Sequence, residues 1–271
     1  MHIAKRLKSF KSRPGLCMTD ISQGKEATPI CVINTVDDVQ PGPFQYTTRI
    51  RYPFGLTEKH NQGCDCTNGC SDSESCACAV KNGGEIPFDL SGAILNEKSV
   101  IFECGSSCKC PPSCRNRVSQ HDMKIPLEVF RTTKTGWGVR SLWSIPAGSF
   151  ICEYIGEVQH QKAADKRRNN NYLFDAMEDV RFTIDASVYG NIGRFINHSC
   201  SPNLQAQNVL RDHGDKRMPH IMFFAAETIP PLQELTYDYN NSEIDRVQGV
   251  NRRMKSKVCQ YSSSLCRRRF Y

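Results

Sequence analysis

No stretch of this chain is long and apolar enough to cross a membrane as a helix. Such a span needs roughly 20 consecutive apolar residues, and the longest apolar runs here are short, such as Ile221 to Ala226. No secretory leader is expected, because Met1 leads straight into the basic run His2-Ile3-Ala4-Lys5-Arg6 with no apolar core behind it. Fifteen cysteines would otherwise suggest a disulfide-stapled secreted scaffold. Without a leader, the expectation is a soluble protein in a reducing compartment, with no membrane partner. Internal repeats and low-complexity tracts are absent too, which sets aside repeat arrays. Helical patterning is scarce: one segment, about His160 to Arg168, is rich in Lys, Ala, Gln and Arg, has no Gly or Pro, and reads as a helix.

What the chain has in excess is cysteine in a telling order. Cys64, Cys66, Cys70, Cys76 and Cys78 follow C-x-C-x3-C-x5-C-x-C, and Cys104, Cys108, Cys110 and Cys114 follow C-x3-C-x-C-x3-C after a gap of 25 residues. A C-x-C pair is too short to close a disulfide comfortably but sets two thiolates side by side for a soft cation. Three tetrahedral zinc ions need about twelve ligand positions. Nine sulfurs supply them if three bridge two metals each. Apolar side chains are sparse around these cysteines, so the metal is expected to serve as the core, with 81–100 bulging from it as a loop.

From about Leu127 the pattern changes to short β-rich runs. The expected strands are Leu127 to Arg131, Gly138 to Leu142, Phe150 to Val158, Tyr172 to Phe174, Phe182 to Asp185, Leu204 to Leu210, His220 to Ala226 and Glu234 to Tyr239. Residues 1–60 read as a lead-in segment, polar and punctuated by Pro and Gly, that packs on the domains after it. The fold class is therefore mostly β with a cysteine-rich metal module ahead of it.

Four segments within the β-rich part carry the chemistry: Gly136-Trp137-Gly138-Val139, Glu153-Tyr154-Ile155-Gly156-Glu157, Arg194-Phe195-Ile196-Asn197-His198-Ser199-Cys200 and Glu234-Leu235-Thr236-Tyr237-Asp238-Tyr239. At these residues the chain resembles SET-domain protein lysine methyltransferases. With nine cysteines ahead of it and more behind, it is similar to the suppressor-of-variegation class acting on lysine 9 of histone H3. Cys104-Gly105, Phe195 to Asn203 and the lead-in Asp20 to Gly24 resemble the plant branch. The resemblance implies a pseudoknotted β-clip SET fold at 125–241, a pre-SET three-zinc module at 61–120 and a post-SET segment at 255–271. It also implies a nuclear, chromatin-bound enzyme supporting heterochromatin and gene silencing. S-adenosylmethionine would be the methyl donor. The partners implied are the histone H3 tail and the nucleosome, and the basic termini suit non-specific DNA contact.

The same resemblance assigns site residues. Gly136, Trp137 and Gly138 would approach the cofactor, glycine allowing close backbone contact and the indole offering a stacking face. Asn197 and His198 carry the donors and acceptors to grip it, with Arg194 and Tyr172 beside them. Tyr239, Tyr154 and Tyr237 would line the reacting end, Tyr239 as the central catalytic residue and Tyr154 as its partner. Lysine, with a pKa near ~10.4, must lose its proton before it can attack, and burial beside a sulfonium favours that. A tyrosine rather than phenylalanine at 237 implies mono- and dimethylation. Asp238 and Glu234 read as carboxylates that fix the strand-loop geometry around Tyr239.

One departure stands out. The family closes a further zinc site with the cysteine after Asn-His-Ser and a terminal C-x-C-x4-C, and here Cys200, Cys259 and Cys266 are present but Tyr261 takes the middle position. Water, His213 or the Tyr261 phenol would have to complete it. That gap motivates a rival reading, a catalytically impaired SET protein that binds chromatin. A zinc-dependent nucleic-acid binder is a second rival, weakened because C-x-C repeats frame no groove-entering helix. The remaining cysteines, Cys17, Cys31 and Cys152, read as plain thiols. Relatives usually carry a methyl-DNA-reading domain upstream, so a truncated form is expected.

Overall fold

The structure is a computed structural model that describes residues 13–52, 63–71, 75–160, 171–175, 182–212, 215, 218–239, 257–260 and 266–270. Tyr261, His213 and residues 161–168 of the expected helix lie outside these, as do the basic residues within 1–12 and 251–256. Short strands dominate. The first four are β1 (Leu16–Met18), β2 (Cys31–Ile33), β3 (Gln45–Tyr46) and β4 (Ile101–Phe102), with one short helix, α1 (Ala77–Lys81), before β4. Then come β5 (Leu127–Arg131), β6 (Trp137–Ser141), β7 (Phe150–Glu153), β8 (Glu157–His160), β9 (Leu173–Asp175) and β10 (Phe182–Asp185). Next in the chain are β11 (Tyr189–Gly190), β12 (Asn197–His198), β13 (Leu204–Leu210), β14 (His220–Ala225) and β15 (Glu234–Tyr237). Two short strands close the set, β16 (Lys257–Val258) and β17 (Arg269–Phe270).

Most expected strands appear with ends shifted by a residue or two. Phe150 to Val158 is two strands rather than one, because Gly156 turns the chain where a Cβ would lie 2.5 Å from the Asp185 carbonyl oxygen. His160 closes β8 and does not open a helix.

Two sheets position the site. The larger has the order β1-β2-β5-β6-β15-β12, with parallel pairing at β2–β5 and β12–β15. The lead-in segment thus supplies its outer strands, and Arg13 pairs there with the buried Glu128 carboxylate. The other sheet is β4-β13-β14-β7. Its central strand β14 is buried at every residue. The reason is that both faces are covered: Ile221, Phe223 and Ala225 point into the main core, while Met222 and Phe224 point into a second core shared with the cysteines. A strand buried on both faces reads as a continuous apolar run without alternation.

That second core corrects the expectation for 81–100. This segment is no loop bulging away from the metal module, because Ile86, Phe88 and Ile94 are buried against the cysteines and β14, with the Phe88 ring 6.0 Å from that of Phe224. The module therefore has an apolar core of its own beside the thiols.

Candidate active site

The three motif tyrosines meet where the two sheets converge. Tyr237 at the end of β15 packs its ring 4.6 Å from Tyr239, 4.7 Å from Phe223 and 5.6 Å from Phe174. Tyr154, just past β7, lies 5.1 Å from Phe174 on the far side. Two hydroxyls are committed as donors: Tyr154 to the Tyr172 carbonyl at 2.7 Å, and Tyr239 to the Ile196 carbonyl at 2.8 Å. Burial pushes both phenols up from their usual value, so they stay protonated. A phenol that gives its proton to a main-chain carbonyl keeps oxygen lone pairs for an incoming N–H. Such an arrangement can hold an amine by its hydrogens and leave its lone pair free.

The expected cofactor residues adjoin this cluster. Parallel pairing of β12 with β15 sets Asn197 opposite Thr236 and His198 opposite Tyr237. The His198 ring lies 5.4 Å from that of Tyr239, and its Nδ1 accepts the Tyr239 backbone N–H at 3.2 Å. Burial lowers the His198 pKa to about 4, so the ring is neutral at pH 7 and its proton sits on Nε2, 3.3 Å from Cys200 Sγ. Asn197 reaches across to the Gly136-Trp137 turn, donating to the Trp137 carbonyl at 3.0 Å. Gly136 has φ of +83°, a conformation that favours glycine. Trp137 is partly exposed, with Arg131 over its ring at 5.6 Å. A partly open indole, a tight glycine turn and the Asn197 amide fit an amino-acid-bearing adenosine ligand.

Arg194 and Tyr172 meet on the Tyr154 side of the cluster. The Arg194 guanidinium is buried 4.1 Å above the Tyr172 ring and 4.2 Å above Phe44, and its Nε donates to the Ala186 carbonyl at 2.9 Å. Both residues sit beside Tyr154, and the Tyr172 carbonyl holds its hydroxyl.

The nine pre-SET-type cysteines gather into overlapping thiol sets. Cys64, Cys66, Cys70 and Cys76 have their sulfurs within 4.8 Å of one another, and so do Cys70, Cys104, Cys110 and Cys114. Cys64, Cys104 and Cys108 form a third set with Cys110. Cys78 stands 3.6 Å from Cys108 and can complete that set if Cys110 serves the second. Cys64, Cys70 and Cys104 then each belong to two sets. Neighbouring sulfurs such as Cys64 and Cys70 are 3.4 Å apart, far beyond a disulfide bond and near the ~3.8 Å expected of two thiolates on one zinc. Donors surround them: Asn116 Nδ2 meets Cys104 Sγ at 3.3 Å and Arg117 Nη2 meets Cys110 Sγ at 3.4 Å. Such contacts stabilise thiolate and orient it. The donor set fits zinc and leaves no open coordination position for chemistry.

The terminal site is thinner. Cys200 and Cys259 are 3.8 Å apart, and with His198 they form the remaining cluster of candidate ligands among the described residues. Cys266 Sγ accepts the Arg268 N–H at 3.3 Å, and Arg267 N–H reaches Cys200 at 3.4 Å. Because Nδ1 of His198 already accepts a hydrogen bond, its Nε2–H is a donor to Cys200 and not a metal ligand.

Several residues at the site were missed or misplaced by the sequence reading. Phe174 and Phe223 form the aromatic floor, and only their strand positions were legible. Asn203 clamps β15 by donating to the Glu234 carbonyl at 2.8 Å and accepting the Thr236 N–H at 2.9 Å. The two carboxylates expected to frame Tyr239 act through its neighbours: Asp238 takes Arg267 of the terminal segment at 2.5 Å and lies 3.6 Å from His198 Nδ1, and Glu234 takes Asn197 at 2.7 Å.

Similarity to known proteins divides along the same line. A family model for the SET domain matches residues 136–240, and one for the Pre-SET motif matches residues 22–117. The chain is 56% identical over 271 residues to "Histone-lysine N-methyltransferase, H3 lysine-9 specific SUVH5" of Arabidopsis thaliana, covering 99% of this chain and 34% of that protein. Against the SUVH1 protein of the same description from Nicotiana tabacum the identity is 42%, over 96% of this chain and 38% of the relative. The chain thus spans little more than a third of the length of these relatives. Among solved structures, Arabidopsis thaliana SUVH6 in complex with SAM superposes with a TM-score of 0.88 at 48% identity, covering all of this chain and 59% of that one. KRYPTONITE in complex with mCHH DNA, H3(1-15) peptide and SAH gives 0.83 at 43% identity, over 95% and 54% of the two chains. With the thiol module under one family model and the tyrosine-lined sheets under the other, this chain belongs to the SET-domain family, in the pre-SET-bearing branch that includes the plant SUVH histone-lysine methyltransferases.

Proposed function

We propose that this chain is the methyl-transferring part of a histone-lysine N-methyltransferase acting on lysine 9 of the histone H3 tail, at chromatin in the nucleus. The observation that carries this reading is the unbroken contact from Asn197 and His198 through Tyr239 and Tyr237 to Phe174 and Tyr154, which joins a cofactor-gripping pair to an aromatic cage. S-adenosylmethionine, when bound, supplies a methyl group activated on a sulfonium. The chain's own residues do the rest. Apolar rings strip water from the lysine amine, which favours its neutral form. The Tyr239 and Tyr154 oxygens accept its N–H groups and aim the lone pair, and most of the acceleration comes from that alignment. The Tyr237 hydroxyl takes up room that a growing methylammonium would need, which supports mono- and dimethylation.

Relatives with related sequences have been solved with an H3 peptide and with methylated DNA. For this chain, the H3 tail is proposed as substrate and the nucleosome as the larger partner, with DNA contacted through charge alone. The zinc module would act as scaffold, held by the nine cysteines from Cys64 to Cys114, with Cys200, Cys259 and Cys266 offering a weaker terminal site. The test is incubation with S-adenosylmethionine and an H3 peptide carrying lysine 9, read by mass spectrometry. Mono- and dimethylated peptide is expected. No methylation, with the peptide still bound, would favour the rival reading of an impaired chromatin-binding SET protein that Tyr261 motivates, and Tyr261→Cys should then raise both zinc content and turnover.

A further inference from the structure

We infer that Glu234 is a positioning residue for the cofactor: its carboxylate locks the Asn197 carboxamide so that Oδ1, and not Nδ2, faces the ligand. This rests on the proposed use of S-adenosylmethionine and concerns how its amino-acid end is recognised.

Three acceptors converge on Asn197 Nδ2. Glu234 Oε1 lies at 2.7 Å, the Trp137 carbonyl at 3.0 Å and Thr135 Oγ1 at 3.1 Å. The direction of the Thr135 bond is set by a second one. Thr132 Oγ1 donates to the Gly136 carbonyl at 3.1 Å, so the 2.9 Å contact between the two threonines uses the Thr135 proton, leaving Thr135 to accept from Asn197. Turning the amide over would set its oxygen against a carboxylate and a main-chain carbonyl. That cost forbids the flip. Among described residues Asn197 Oδ1 takes no hydrogen bond, so an acceptor remains for a ligand. An ammonium group is the donor that an amide oxygen backed by a carboxylate suits best.

Gly138 belongs to the same device. A Cβ there would lie 2.6 Å from Glu234 Oε1 and 3.1 Å from its Cδ, so glycine leaves the space that the carboxylate occupies. Arg140, paired with Glu234 in strand register, gives its Nε to Glu128 at 2.8 Å.

The experiment compares two adenosine thioethers by calorimetry on the zinc-loaded chain: S-adenosylhomocysteine, which has the amino-acid arm, and 5′-methylthioadenosine, which lacks it. For Glu234→Ala, S-adenosylhomocysteine should bind about tenfold or more weakly, a loss within reach of one charge-assisted hydrogen bond, while 5′-methylthioadenosine affinity stays as in the parent. Glu234→Gln, which keeps an acceptor, should recover most of the difference, and Gly138→Ala should reproduce the alanine effect. Equal weakening of both ligands would mean a merely structural residue, and no weakening of either would mean no role; each overturns the inference while leaving the methyltransferase reading intact. If the parent chain binds neither thioether, that reading fails and the inference with it.

Discussion

At the residue scale, the tyrosines divide by what their hydroxyls and rings do. Tyr239 gives its proton to the Ile196 carbonyl and packs its ring at a tilt against Tyr237. Tyr239→Phe keeps the ring and its packing but removes the oxygen that would accept an amine N–H. Turnover should fall on the order of 100-fold or more, with S-adenosylhomocysteine affinity nearly unchanged by calorimetry. An equal loss in both would place Tyr239 in cofactor binding instead. Tyr237 is different, being a wall of the cage held by Phe174 and Phe223. Tyr237→Phe should leave the melting temperature almost unmoved and shift the product on an H3 peptide toward trimethyllysine. A product distribution unchanged at matched turnover would remove the steric account. That these tyrosines converge was legible from their motif positions. The roles of Arg194 and Glu234 were not, because their partners, the Ala186 carbonyl and the Asn197 amide, are fixed by how separate segments meet.

At the element scale, the junction between thiol module and catalytic sheet depends on one close approach. Strand β4 pairs in parallel with β13, the Glu103 N–H donates to the Leu210 carbonyl at 2.9 Å, and a Cβ on Gly105 would meet the Arg211 carbonyl oxygen at 1.9 Å. Neither backbone can move without parting this pair. Gly105→Ala should therefore cost on the order of 3 kcal/mol, seen as a lower denaturation midpoint of the zinc-loaded protein; a midpoint within error of the parent's would show that the junction is soft. The strands themselves were largely readable, since the β-favouring Val129 and Phe130 mark β5 and a continuous apolar run marks β14. The packing role of 81–100 was hidden. Ile86, Phe88 and Ile94 are isolated among turn-forming residues, and the surface they cover, on Phe224 and Phe150, lies far away in sequence.

At the scale of the whole molecule, two buried devices hold the halves together, and each makes a distinct prediction. The first is ionic. His220 on β14 is 1% exposed, with Nδ1 2.7 Å from Glu153 Oε1 and Nε2 2.9 Å from Asp212 Oδ1. Arg211 faces the same Glu153 at 3.1 Å and also donates to the Ser119 carbonyl of the thiol module at 3.0 Å. Burial opposes the charge on His220, but the two carboxylates outweigh it and raise the pKa from 6.5 to about 9. A histidine whose folded pKa exceeds its unfolded one contributes stability that is complete below about pH 6.5 and is lost as pH climbs through 9, here on the order of 3 kcal/mol. Denaturation midpoints should fall across that window, and the fall should vanish in His220→Gln; a parent midpoint that stays flat from pH 6.5 to 9 would contradict the charged-histidine account. The second device is metallic. Cys64, Cys70, Cys104 and their neighbours share one core with Phe88, Val209, Met222 and Phe224, so the cover on the back of β14 includes the gathered thiols. The front of the same strand carries Phe223, which touches both Tyr154 and Tyr237. Without zinc, nine thiols lose their common cations and the module loses most of what binds it. Its collapse would expose Met222 and Phe224 and free the strand that supports the cage. Stripping zinc with a strong chelator should therefore lower the melting temperature by about 10 °C or more and abolish methyl transfer, and zinc added back to reduced protein should restore both. If the chelated protein, confirmed metal-free by elemental analysis, melts where the parent does, the apolar half of that core is sufficient alone and the thiol cluster is not what holds β14 in place.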